Sequence, residues 1–254
     1  MSKKSIFITG AALGIGRETA RVFTQQGWFV GIYDINTDAV TALVEELGTG
    51  NAIGDHLDVC DYSEFQQRLA QFSAASDGRL DVLFNNAGIL TQGRFDELSI
   101  ETHHRTLDVN IKGVVNGTYA ALDLLKETPG ACVLSMCSAS AVYGTPDHST
   151  YSASKFAVRA ITEALDVELQ QYDIKVCDLM PSFVATNMVL GQEHQSSMVG
   201  KLGIDHQPQD IAQLAWQMVH SNRLHWQSRS TRILSFLAGV LPKMVRRKMQ
   251  QAIE

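Results

Sequence analysis

Cysteine is scarce in this chain. The four that occur, Cys60, Cys132, Cys137 and Cys177, include no Cys-x-x-Cys pair, which excludes a disulfide-stapled secreted scaffold and a thiolate metal site and leaves them as reduced core residues. Long apolar runs are also missing, so no stretch reaches the roughly 20 residues that cross a bilayer. The opening MSKKSIFITG passes straight into a strand-like run with no charged-then-apolar leader, and the expectation is a soluble cytoplasmic protein. Proline is limited to five residues, and no Pro/Gly-rich linker, internal repeat or low-complexity tract divides the chain. Excess positive charge is absent as well: a formal net charge of −6 argues against nucleic acid as a partner.

What is present fits one globular unit. At 254 residues, 45% apolar and 19% charged, the chain can bury a sizeable core and lacks the composition of long disorder. Short β-branched runs (SIFITG, FVGIYD, NAIGDHLDV, DVLFNNAG, ACVLSMCS, IKVCDLMP) alternate with helix-like stretches near 15–26, 37–47, 61–76, 101–127, 152–171 and 208–221. Near-continuous apolar strands between helices predict an α/β fold, a doubly wound parallel sheet of about seven strands with helices on both faces. Its ligand belongs at the carboxyl ends of the strands. Residues 1–222 form the expected body, and 223–254 a basic C-terminal extension of the same domain: seven basic residues against one acidic there, 14 against 26 before it.

After the first strand comes TGAALGIGRETA. Gly10, Gly14 and Gly16 stand at the turn from strand into helix, where missing Cβ atoms let backbone approach a pyrophosphate and the helix N-terminus offers unpaired amides. A tight turn alone would also use such glycines. The context adds weight, because the next strand ends in Asp34, which can accept from both ribose hydroxyls and repels a 2′-phosphate. NAD(H) is therefore expected over NADP(H). Asp34 as a turn or helix-cap residue is the competing reading, and Arg17 in the first helical turn could weaken the preference.

The stretch STYSASKFAV, residues 149–158, puts Tyr151 and Lys155 one helical turn apart on one face. A cation there favours phenolate and draws the tyrosine pKa down from about 10. Such a pair also occurs by chance. Taken with the glycine turn, LDV at 57–59, NNAG at 85–88, DVNIKG at 108–113 and MCSASAVYG at 136–144, the chain from residue 5 to about 220 resembles the short-chain dehydrogenase/reductase family. The resemblance implies a Rossmann-type sheet, a nicotinamide cofactor, interconversion of an alcohol and a carbonyl without a metal, and a homodimer or homotetramer.

By that resemblance Tyr151 is the general acid/base, Lys155 lowers its pKa and binds the nicotinamide ribose, and Ser138 holds the substrate oxygen. Asn110 would keep a water beside the lysine. Asp58 would accept from the adenine amino group beside Val59, while Asn86, Ala87 and Gly88 would pass the adenosine ribose. Leu13 and Ile15 accompany the glycine turn, and Pro181 and Thr186 belong to PSFVAT, where the family commonly has PGxxxT and this chain has Ser182 for the glycine. Plain structural duties compete for several of these: a turn serine at 138, a helix-bending asparagine at 110 and sheet stabilisation at 86–88.

Ser140, Val142, Tyr143, Phe183, Met188 and Leu190 are the candidate substrate contacts. Being mostly apolar, they point to a hydrophobic secondary alcohol or ketone, with core packing as the alternative. His103, His104 and His148 read as surface or helix-face histidines. The tail ILSFLAGVLPKMVRRKMQQAIE has apolar residues at helical spacing (Ile233, Phe236, Leu237, Val240, Leu241, Met244, Val245, Met249) among Lys243, Arg246, Arg247 and Lys248. Pro242 kinks or divides it. Packing or a lid over the pocket is favoured over peripheral contact of 233–254 with an anionic membrane surface. Two rival functions remain beside the alcohol dehydrogenase: a reductase of 3-oxoacyl thioesters, and a non-catalytic nucleotide-sensing or scaffold protein on the same fold.

Overall fold

The computed structural model of the chain describes residues 3–186, 188 and 205–253. Seven parallel strands form one sheet: β1 (Ser5–Thr9), β2 (Phe29–Asp34), β3 (Ala52–His56), β4 (Val82–Asn85), β5 (Cys132–Met136), β6 (Lys175–Met180) and β7 (His225–Gln227), in the order β3-β2-β1-β4-β5-β6-β7. The order reverses beside β1, whose neighbours are β2 and β4. That reversal opens a crevice above the strands' carboxyl ends.

Alternation along each strand feeds two cores. Ile6 and Ile8 of β1 face one layer with Ile32, Phe84, Leu134 and Leu179; Phe7 faces the other with Tyr33, Leu83, Val133 and Val176. The first layer is covered by α1 (Gly14–Gln25) and α7 (Pro208–Val219), through Phe23, Ile211 and Ala215. The second is covered by α3 (Tyr62–Ala75) and α5 (Gly113–Lys126), through Phe65, Phe72 and Leu125. Phe7 stacks on Tyr33 at 4.1 Å between ring centroids. Each such buried side chain contributes about 1.5–3 kcal/mol, which fixes the strand ends that carry the site. On the sheet's edge, fully buried Asp178 is 3.0 Å from His225 Nδ1 through either oxygen, tying the short β7 to β6.

The remaining helices are α2 (Thr37–Leu47), α4 (Ile100–Leu107), α6 (Ser149–Leu169), α8 (Arg229–Val240) and α9 (Pro242–Ile253). The six expected strands and the 37–47 helix match closely; two expectations change. The single helix expected over 101–127 is broken by a π-helical turn, Asp108–Lys112, because Asn110 within it turns its amide onto the backbone of Ile89. The tail helix begins four residues earlier than its apolar spacing suggested, because Ser228 caps it by accepting from the Thr231 amide. Pro242 does divide the tail, opening α9 where a missing amide costs nothing. The cysteines are free; Cys132, Cys137 and Cys177 are buried and Cys60 is half-buried.

Candidate active site

The glycine turn is pinned to β4 by side chains rather than by ladder bonds. Thr9 Oγ1 accepts from the amides of Asn86 and Ala87, both at 3.1 Å, and Asn86 Nδ2 donates to the carbonyls of Thr9 and Gly10 at 3.0 and 2.9 Å. Asn86 therefore performs the structural duty that competed for it, and still lines the cleft above with Ala87 and Gly88. Gly10 has φ of +62°, and a Cβ there would lie 2.8 Å from Ala87 Cα. Gly16 sits under the turn, where a Cβ would meet the Gly10 carbonyl oxygen at 2.2 Å. It lies outside the cleft wall that Gly10, Leu13, Gly14 and Ile15 form. At the start of α1, Leu13 supplies no side-chain cap and the first turn holds no acid. Its amides are thus open to an anion.

Asp34 closes β2 at the cleft edge. Its Oδ2 accepts from the Ala12 amide and its Oδ1 from the Asn36 amide, each at 3.1 Å. The helix-cap role belongs to Asn36, which accepts from Ala39. Arg17 turns toward Glu18 at 3.4 Å and is absent from the lining. Asp58 and Val59 line the same half. Arg105 of α4 lies 3.4 Å from Asp58 Oδ2, a contact that separation in sequence had hidden. A cleft-edge acceptor, a glycine cradle that a methyl group would fill and an open helix N-terminus together fit an adenosine diphosphate.

At the other end, β5 delivers Ser138 and α6 delivers Tyr151 and Lys155. Ser138 starts a 3₁₀ turn, Ala139–Ala141, accepting from the Ser140 amide at 3.1 Å, and its hydroxyl lies close enough to the Tyr151 phenol to oppose the rise in its pKa. Lys155 is buried; its Nζ donates to the Met136 carbonyl at 2.8 Å and lies 5.6 Å from the Tyr151 ring centroid. Asn110 is buried beside them, its Oδ1 accepting from Ile89 N at 2.8 Å and its Nδ2 donating to Ile89 O and Ser154 Oγ at 2.9 and 3.0 Å. Gly88 leaves room between the two, since a Cβ on it would lie 3.1 Å from Asn110 Oδ1 and 3.6 Å from Lys155 Nζ.

Electrostatics depart from the sequence expectation. Burial pushes the Tyr151 phenol up to about 12, against the pull of the Ser138 hydrogen bond, and burial lowers Lys155. Desolvation therefore decides the direction in the free chain, with the Cys137 thiol adding to it. The phenol is a proton donor at neutral pH.

Both ends open into one cleft of about 900 Å³. Ser140, Pro181, Phe183, Thr186 and Met188 line it. Val142 and Tyr143 do not: after the 3₁₀ turn Val142 packs on Val114, Val158 and Met180, and half-buried Tyr143 stays off the wall. Leu190 lies outside the described residues. The inner side of the tail joins the wall through Leu234, Leu237, Met244, Val245 and Lys248, while Phe236 and Val240 remain exposed. The described apolar residues of the tail, expected at helical spacing, divide between this inner side and an outer one, because α8 and α9 meet at Leu241.

The histidines separate. His104 is exposed, and His103 is a satisfied core residue with partners on both ring nitrogens, Thr150 Oγ1 and the Phe95 carbonyl. His148 corrects the surface reading: it is buried and lines the cleft. No periodicity marks it, because it stands at the N-cap of α6 without capping the helix.

Residues 4–197 match the family model of the short chain dehydrogenases. The oxidoreductase UcpA of Salmonella typhimurium (strain LT2) is 34% identical over 200 residues, 78% of this chain and 75% of that protein. A cyclopentanol dehydrogenase of Comamonas sp. (strain NCIMB 9872) is 30% identical over 221 residues, 84% of this chain and 88% of that one. The crystal structure of a 3-ketoacyl-(acyl-carrier-protein) reductase from Brucella melitensis complexed with NADH superimposes with a TM-score of 0.78 at 25% identity, over 85% of this chain and 90% of that one. With its sheet order, glycine cradle and family match in agreement, this chain belongs to the short-chain dehydrogenases, oxidoreductases that bind a nicotinamide dinucleotide.

Proposed function

We propose that the chain interconverts a hydrophobic secondary alcohol and its ketone with NAD(H). The observation that carries this reading is the joining of Ser138, Tyr151 and Lys155 to an apolar cavity continuous with the glycine cradle. A bound nicotinamide supplies the hydride acceptor or donor. In ketone reduction Ser138 and Tyr151 hold the carbonyl oxygen, and the Tyr151 phenol gives it a proton as the alcohol forms; oxidation runs the proton back to the phenolate. Lys155, held on the Met136 carbonyl, offers its remaining donors to the cofactor ribose. Asn110, fixed by Ile89 and Ser154, keeps its backbone neighbour and a water path beside the lysine in register. Asp58 accepts from the adenine amino group, and Thr186 donates to the carboxamide.

The tail completes the substrate end. Leu237, Met244 and Val245 make that wall apolar, which favours a cyclic or branched hydrocarbon frame over a sugar. The relative that is a cyclopentanol dehydrogenase supports this substrate class. An acyl-thioester reading has its own support in the ketoacyl reductase neighbour. A panel of cyclic and acyclic secondary alcohols, their ketones and an acetoacetyl thioester, followed by NADH absorbance, separates them. The expected result is highest kcat/KM on the apolar alcohols and ketones; turnover confined to the thioester overturns the reading, and no turnover at all with tight NADH binding returns the scaffold.

The raised phenol gives a pH signature. With a pKa of about 12, the phenolate needed for oxidation grows roughly tenfold per pH unit below that value. Alcohol oxidation is expected to climb from pH 7 to 10 while ketone reduction stays flat. Initial rates in both directions at saturating nucleotide check this, and an oxidation plateau already at pH 7 means the phenol titrates lower in the working complex.

A further inference from the structure

His148, which lines the cleft, carries an unused hydrogen-bonding atom. Its side chain is 3% exposed, its Nδ1 lies 3.0 Å from the Pro146 carbonyl, and its Nε2 is buried without any hydrogen-bond partner. A carbonyl can only accept, so Nδ1 must hold the proton and Nε2 must present a lone pair. Buried acceptors left without a donor are uncommon and costly, and one on a binding wall marks where a ligand donates.

The ring is held for this purpose by its surroundings. Asp147 just before it adopts φ of +61°, and the Gly93 amide donates to the Asp147 carbonyl at 2.9 Å. The His148 amide donates to Thr145 O at 3.1 Å, and His148 O accepts from Ser152 N at 2.7 Å. At the N-cap of α6 a polar side chain ordinarily accepts from the helix amides; this imidazole does not. Burial also lowers its pKa, so it stays neutral and able to accept. The ring centroid lies 6.4 Å from that of Tyr151. The two rings are therefore neighbours on the wall of the same cleft.

We infer that His148 Nε2 is a substrate subsite that accepts a hydrogen bond from a hydroxyl adjacent to the reacting carbon, so that the preferred substrates are vicinal diols and α-hydroxyketones on an apolar frame. This rests on the alcohol/ketone reading above and narrows it. A simple ketone fills the same cavity but leaves Nε2 unsatisfied.

The test compares cyclohexanone, 2-hydroxycyclohexanone and 2-methoxycyclohexanone as substrates of the unmodified chain and of His148→Phe, with NADH affinity measured alongside. In the unmodified chain kcat/KM is expected to be about 10- to 100-fold higher for the hydroxyketone than for either of the others, since the methoxy compound has the oxygen without the proton. In His148→Phe that ratio is expected to collapse toward one with NADH affinity retained. Equal use of hydroxy- and methoxyketone by the unmodified chain overturns the inference, whatever the variant does. So does a variant that loses activity on all three compounds in the same proportion, which marks a purely structural ring. Failure of the unmodified chain on all three is different, being a failure of the alcohol/ketone reading itself.

Discussion

Tyr151→Phe is expected to lower kcat by about 10²- to 10⁴-fold while leaving NADH binding within a few-fold of the parent. The variant keeps the aromatic ring, which is packed beside Lys155 and His148, and removes only the phenol oxygen, whose pKa Ser138 helps to hold down. With a pKa of about 12 in the free chain, that oxygen holds a proton at neutral pH that it can give to a ketone. Lys155 does not duplicate it, because its Nζ, held on the Met136 carbonyl, gives its remaining donors to the cofactor ribose in the proposed reading rather than to the substrate oxygen. A kcat/KM loss expressed in KM alone would mean the phenol merely binds substrate. Single-turnover absorbance at 340 nm together with nucleotide fluorescence titration distinguishes the cases, and an unimpaired variant removes Tyr151 from the chemistry.

Much of this arrangement could be read from residue order, and the parts that could not have a common cause. β-Branched runs and helical spacing fixed β2 and α2 almost to the residue, since a buried parallel strand and a capped helix are local decisions. The glycine turn was legible because a strand, a tight turn and a helix follow each other directly. Asn110 was legible as a residue but not as a bend: the π turn exists only because the Ile89 backbone, 21 residues away, reaches for its amide. His148 was misread because its burial is created by a loop that folds back on α6. Arg105 meets Asp58 across 47 residues. Even the sign of the Tyr151 shift was hidden, since spacing shows the cation one turn away but not how dry the site is. The tail shows the same limit, its one periodic stripe being shared between a cleft wall and an outer face once Pro242 starts a second helix.

Asp34→Asn is expected to raise the ratio of NADP(H) to NAD(H) kcat/KM by about 100-fold. The substitution keeps an oxygen that can accept from one of the two amides now on the carboxylate, those of Ala12 and Asn36, and removes the charge. Each carboxylate oxygen holds a second lone-pair direction, so both can still accept from a ribose diol, which the amide nitrogen of the variant cannot do. A 2′-phosphate would bring like charges within about 4 Å, a repulsion of about 4 kcal/mol at an effective dielectric of 20; partial exposure of Asp34 reduces this, and a 100-fold change requires about 3 kcal/mol. No cation stands ready to reverse the balance among the described residues of this edge, because Arg17 faces Glu18 and Arg105 faces Asp58. The variant should therefore lose NAD(H) efficiency as well as gain tolerance of NADP(H), and the parent's ratio measured at rising ionic strength should converge toward the variant's as salt screens the charge. A parent that already prefers NADP(H), or a ratio that Asp34→Asn leaves unchanged, would mean that the carboxylate serves the β2 turn alone and that the dinucleotide's ribose lies elsewhere.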